Sequence, residues 1–218
     1  MDADRPYSYG NRDASAQQAK KMFKIMLLLM GLTSFAYGAY LPVKAELSQL
    51  LIRHAWEKSI DTGASIKPWG WADMHPVMRL QSEKHQQDLI VLAGDTGNVL
   101  AFAPGLSSIT SQNNPSSTWL VSGHRDTHFT FLRDIAVGDL ITTTRLDQTR
   151  KSFKVSDIDV IDISKQTISI SDHEAELKLV TCYPFDAVLP GGSLRYVVTA
   201  SSLIHPYLDN PPTIKPAY

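Results

Sequence analysis

The chain has 218 residues, 43% of them apolar and 20% charged, with a formal net charge of −1. Such a composition is ordinary for a globular protein, and the length suits one domain plus a targeting segment. No basic excess points to nucleic acid as a partner, and no long acidic run points to a solvating tail.

The first 24 residues carry Arg5, Arg12, Lys20, Lys21 and Lys24 against Asp2, Asp4 and Asp13. Residues 25–43, IMLLLMGLTSFAYGAYLPV, then run for 19 positions without a charge. At about 1.5 Å per residue this run spans the roughly 30 Å hydrocarbon layer of a membrane. Tyr37 and Tyr40 stand where interfacial aromatic side chains are useful. A cleaved signal peptide would use the same basic residues and a small-residue exit near Ala36–Gly38. The length of the run favours an uncleaved transmembrane anchor, with residues 1–24 cytoplasmic by the positive-inside tendency and the body exported. Residues 44–59, KAELSQLLIRHAWEKS, read as a helix with Leu47, Leu50, Leu51, His54 and Ala55 on one face. The stretch 61–76 reads as an ordered loop whose Trp69 and Trp71 bury themselves against the following domain.

From Pro76 to about residue 202 the pattern is β-like. VMRLQ and QDLIVLAG are followed by a Gly94–Asn98 turn and then VLAFAPG. TWLVSG, DLITTTRL, SFKVSDIDVIDI, TISIS, ELKLVTC and LRYVVTASS follow. Val, Ile, Thr, Phe and Tyr dominate these runs, and alternation is frequent. Helical patterns are few, with a turn or two expected around THFTFLRDI. About eight closely spaced strands without a long βαβ unit indicate an all-β barrel or sandwich with short helical decorations. Residues 203–218 form a Pro-rich tail.

Several motifs could carry chemistry. GDTG at 94–97 has the letters of an aspartic-protease loop, but an ordinary turn has them too. HRDTH at 124–128 sets two histidines four apart, yet Arg125 stands where a zinc protease needs its glutamate base, and Gly123 weakens a helix there. No metal and no cofactor are expected. Cys182 is the only cysteine, so an internal disulfide is excluded; the thiol is a buried filler, an intermolecular partner or a nucleophile. It ends one β-like run, and His124 follows another, at strand ends where a rigid sheet opens into accessible loops. A histidine beside a thiol can take its proton, giving the thiolate that attacks carbonyls. Arg195 lies on the last run, where alternation sets Leu194 and Tyr196 on one face and Arg195 on the other. A guanidinium on the inner side of a barrel strand would require a partner or a function.

SGHRDTHFTFLRDIAVGDLI resembles the histidine segment of sortases, the cysteine transpeptidases of bacterial envelopes. LKLVTCYPF resembles their TLxTC strand, and LRYVVTA their arginine strand, in the same order and with a short Cys-to-Arg gap. GHRDTHF and TCYPFDAVLPGGSLRYVV look most like the Gram-negative subgroup. The resemblance implies a closed eight-stranded barrel and a catalytic set of His124, Cys182 and Arg195, with Thr181 and Arg125 as substrate-binding residues. It also implies a substrate protein with a C-terminal LPXTG-like sorting signal, an amine acceptor in the envelope, and an inner-membrane anchor with the barrel in the periplasm. Alternatives are a thiol protease hydrolysing the same signal, or a non-catalytic envelope-binding barrel in which Cys182 is a core residue.

Overall fold

The computed structural model describes residues 10–110, 118–171, 175–187 and 191–203. The first nine residues of the N-terminal segment and residues 204–218 of the Pro-rich tail therefore lie outside the described residues.

Helix α1 (Gly10–Thr62) runs through the whole apolar stretch. It is the one helix among the described residues long and apolar enough to cross a membrane. Leu28 and Phe35 in the apolar stretch are largely exposed.

The second compact unit begins at Ser48. There the last turns of α1 bury Ser48, Ile52, Ala55, Trp56 and Ser59, spaced three and four apart. This is not the expected stripe. Leu47 and Leu50 are 54% and 65% exposed, and of that set only Ala55 is fully buried. The large side chains decide the face: Ile52 and Trp56 pack with Ala72, Met74, Ile90 and Leu92. The Ser59 hydroxyl donates to Ala55 O (2.7 Å) and accepts from Ile66 N (3.0 Å), which ties the following loop to the helix. In that loop Trp69 packs on Phe102 with centroids 5.1 Å apart. Trp71 is 83% exposed, against the expectation that both tryptophans are buried.

Eight strands close a barrel in the order β1-β2-β3-β4-β7-β8-β6-β5. They are β1 (Pro76–Ser82), β2 (Gln87–Ala93), β3 (Gly105–Leu106), β4 (Trp119–Ser122), β5 (Leu140–Arg145), β6 (Arg150–Asp162), β7 (Glu176–Cys182) and β8 (Leu194–Leu203). Two neighbouring pairs, β2/β3 and β4/β7, are parallel, and the other six are antiparallel. Alternation fills the interior with Leu80, Val91, Val121, Ile141, Phe153, Leu177, Leu179 and Val198, and the segment after β4 adds Phe129 and Leu132.

Two of the expected strands take another form. VLAFAPG begins as one helical turn, α2 (Gly97–Leu100), because Val99 and Ala103, four apart, both bury in the α1 cluster. Only Gly105–Leu106 pair as a strand, and a Cβ at Gly105 would stand 2.1 Å from Gly94 O. TISIS at 167–171 does not join the ladder. Ile168 and Ile170 lie instead on Leu120, Val180 and Val197, and Thr118 N donates to Ser171 O at 2.8 Å. The expected helical turn appears as a 3₁₀ segment, Thr130–Arg133.

Asp139, just before β5, holds Lys84 at 2.6 Å, His85 at 2.8 Å and Ala136 N at 3.0 Å. Burial alone would raise its pKa, but these contacts outweigh it and hold the carboxyl at about 2. The folded value lies below the ordinary one of about 3.8, so the stability it contributes is present above about pH 4 and lost as the pH falls towards 2. Asp139→Asn should therefore be less stable than the wild type at pH 6, with the gap closing between about pH 4 and 2 in urea titrations. A gap that stays constant over that window would show that the charge contributes nothing.

Candidate functional site

Strand β7 carries Leu177, Leu179 and Thr181 on the face that lines the barrel core, and Lys178, Val180 and Cys182 on the other. Val180 belongs to the outer cluster with Leu120 and Val197. Cys182 is thus the last residue of the strand, on the outer face, as a partly exposed free thiol. Its antiparallel partner on β8 is Arg195. Directly opposed residues keep their Cβ atoms about 4.5–5.5 Å apart on the same face. Arg195 therefore shares the outer face of Val197, opposite Tyr196 as alternation implies, and does not point into the barrel interior. Its Nη1 donates to Gly192 O (2.7 Å) and Leu194 O (2.9 Å), while Nε and Nη2 have no partner among the described residues.

His124 reaches the same end of the sheet from the other side. Strand β4 runs parallel to β7, with Ser122 opposite Val180, and Gly123 N extends the ladder by donating to Val180 O at 3.0 Å. Alternation from Leu120 through Ser122 carries His124 to the outer side, where it is exposed. Gly123 faces inward, and a Cβ there would meet the Phe129 ring at 2.8 Å. Only glycine lets that fully buried ring close under the histidine turn. The turn is held by Phe129 N donating to His124 O at 3.0 Å.

HRDTH is therefore a turn and not a helix. His128 is partly buried, and burial, reinforced by electrostatic repulsion from nearby His124, lowers its pKa. A hydrogen bond with the Phe102 carbonyl opposes that shift. Among the described residues, no three His, Cys, Asp or Glu side chains converge as a metal site.

Thr181 and Arg125 are brought to the same place, but their polar atoms turn inward. The Thr181 hydroxyl donates to Gly123 O at 2.7 Å, and the residue is 2% exposed. Arg125 is 8% exposed and donates through Nη1 to Pro184 O and through Nη2 to Ala187 O, each at 2.5 Å. Its Nε reaches Asp126 Oδ1 at 3.2 Å. Both have intramolecular partners in place of the substrate-facing position expected of them. An aromatic set below this loop was missed in the sequence. Tyr183 stacks on Tyr196 at 6.0 Å, Phe185 meets Tyr196 edge-on at 5.1 Å, and Arg133 lies 5.5 Å over Phe185. Its only sequence signal was the Tyr-Pro-Phe run after the cysteine.

The sortase-domain family model matches residues 80–203, more than half of the chain and every strand from β2 to β8. The chain belongs to the sortase family. Among solved structures, the sortase D5 transpeptidase of Clostridium perfringens is similar with a TM-score of 0.55 and 19% identity, over 72% of this chain and 96% of that one. Sortase A from Corynebacterium diphtheriae follows at 0.53 and 20%, over 61% and 63% of the two chains. Sortase C1 of Streptococcus agalactiae is similar at 0.51 and 22%, over 59% and 67%. These likenesses bear on the fold: they share the barrel of this sortase-family chain. Among curated proteins, none matches it.

Gly123→Ala should strain the sheet end that these residues share. Overpacking of this kind costs about 1–3 kcal/mol. A lowered thermal midpoint, recovered in part by Phe129→Leu, is the expected result; an unchanged midpoint would mean that the ring moves aside freely.

Proposed function

We propose that this protein is a membrane-anchored cysteine transpeptidase that acts on a C-terminal LPXTG-like sorting signal. The observation that carries this reading is the directly opposed pair of Cys182 and Arg195, with His124 two residues beyond the end of the parallel neighbour strand. A thiol, an imidazole and a guanidinium at one end of a rigid sheet are the groups that acyl transfer needs.

In the first step Cys182 Sγ, its proton passed to His124, attacks the carbonyl of the threonine in the signal. The C–S bond forms as the carbonyl π pair moves to oxygen, and Arg195 stabilises that oxyanion through its remaining N–H groups. Collapse breaks the C–N bond, and His124 returns its proton to the departing amine, leaving a thioester. In the second step an envelope amine gives a proton to His124 and attacks the thioester carbonyl. The new C–N bond forms, the C–S bond breaks, and the thiolate recovers its proton. Thr181 and Arg125 hold the backbone on which this set stands.

The reading implies no metal or cofactor. Water in place of the amine would make the protein a thiol protease for the same signal, and a barrel that only binds would need neither the thiol nor the imidazole. Incubating the protein with a sorting-signal peptide, with and without an amine acceptor, separates the three. Transfer product with the amine is expected. Cleavage without transfer would favour the protease, and neither would favour the binding barrel. Cys182→Ala should abolish the reaction, and His124→Ala should nearly do so. Arg195→Lys should lose on the order of 10²-fold in kcat/KM, because a point charge does not reproduce the planar fork. A near-normal rate for Arg195→Lys would remove Arg195 from the site.

The apolar course of α1, exposed through residues 25–38, supports an inner-membrane anchor with residues 1–24 in the cytoplasm and the barrel in the periplasm. The likeness of the histidine and cysteine motifs to the Gram-negative subgroup agrees with that location. Protease added to spheroplasts should digest the barrel, and the membrane-bound protein should keep its first residues. A mature N-terminus near residue 39 would overturn the anchor.

A further inference from the structure

His124 and Cys182 each lie between two cross-links. On one side, the Thr181 hydroxyl, next to Cys182, bonds the carbonyl of Gly123, next to His124. On the other, Arg125, which also adjoins His124, bonds the carbonyls of Pro184 and Ala187, which follow Cys182. Neither His124 nor Cys182 has a side-chain hydrogen bond among the described residues. Their mutual position is therefore set by the backbones on either side.

Resting on the transpeptidase reading, the geometry points to Arg125 as the positioning residue of the site. Its two terminal nitrogens diverge to two carbonyls three residues apart in the loop after Cys182, while Nε is directed at Asp126. One planar guanidinium thereby fastens the histidine turn to the cysteine loop at two points. A lysine in its place is a single compact charge on a flexible stem and can hold one carbonyl well, or two poorly. Burial makes the clamp stiff: the guanidinium is almost fully enclosed, so its N–H groups depend on Pro184 O, Ala187 O and Asp126 rather than on water. Arg125 does not touch the reacting atoms. It acts by keeping the imidazole within proton-transfer reach of the thiol, which a displacement of about 1 Å is enough to spoil.

The test uses the full chain in detergent, with Arg125→Lys and Arg125→Ala measured beside the wild type. The pH profile of iodoacetamide alkylation at Cys182 reports the imidazole–thiol pairing without any peptide, and steady-state kinetics on a sorting-signal peptide reports turnover. For Arg125→Lys, a loss of about 10-fold or more in kcat is expected, with KM within a factor of two and a displaced alkylation profile. Arg125→Ala should go further in the same direction. Thr181→Val should add to the effect of Arg125→Lys, and Thr181→Ser, which keeps the hydroxyl, should restore it to the Arg125→Lys level. A variant with normal kcat and an unchanged alkylation profile, whatever its melting temperature, would overturn the inference and reduce Arg125 to a scaffold group. Should Arg125→Ala fail to fold, the lysine variant decides alone. Absence of transfer by the wild type would sink the transpeptidase reading, while the alkylation profiles would still decide the clamp.

Discussion

The arrangement of this site depends on the register of three strands. β7 is bonded on one edge to β4, running parallel, and on the other to β8, running antiparallel. Because side chains alternate with a strict period of two, a slip of one residue in either ladder would turn Cys182 or Arg195 to the other face of the sheet. The register is held where the burial is greatest. Leu177, Leu179, Val198 and Ala200 are all essentially inaccessible in the core, and Val180 and Val197 are buried on the outer side. With apolar packing on both faces, the strands have little freedom to shift, and the polar groups at their ends inherit that rigidity.

The parallel β4/β7 contact is the part that local sequence encodes least. TWLVSG and ELKLVTC are each recognisable from composition and alternation, since β-branched residues dominate both. Their adjacency is set by a long connection through β5 and β6, and no periodicity announces it. The same limit explains Arg195: alternation separated it correctly from Tyr196, but which of two faces is the interior depends on the partners of the strand, here Val180 and Val197 outside. The α1 stripe failed for a related reason. Leucines were counted as equal votes, whereas one tryptophan and one isoleucine bury more surface and select the face.

VLAFAPG and TISIS illustrate tertiary context overriding β propensity. Each run carries strand formers, Val99 and Phe102 in one and Thr167, Ile168 and Ile170 in the other, yet these residues lie outside the barrel ladder. Each buries its apolar residues against an existing outer cluster, one as a helical turn and the other in extended form without a ladder. The candidate residues stood out in the sequence because chemistry restricts them: a solitary cysteine, a histidine after Ser-Gly, and an arginine thirteen residues after the cysteine. The supporting bonds of Arg125 and Thr181 did not, since hydrogen bonds to carbonyls carry no signature in the side chains that receive nothing.

The thiol, the imidazole and the guanidinium all stand on the exterior of a barrel whose interior is filled with Leu, Val, Ile and Phe side chains. A centre on the outer wall is reached without parting any strands. For the proposed reaction, breathing of the core is then no gate to entry, and an extended substrate tail can lie along the sheet while the folded body it belongs to stays outside. Stiffening the interior and widening the range of cargo become independent adjustments, made on opposite faces of the same strands.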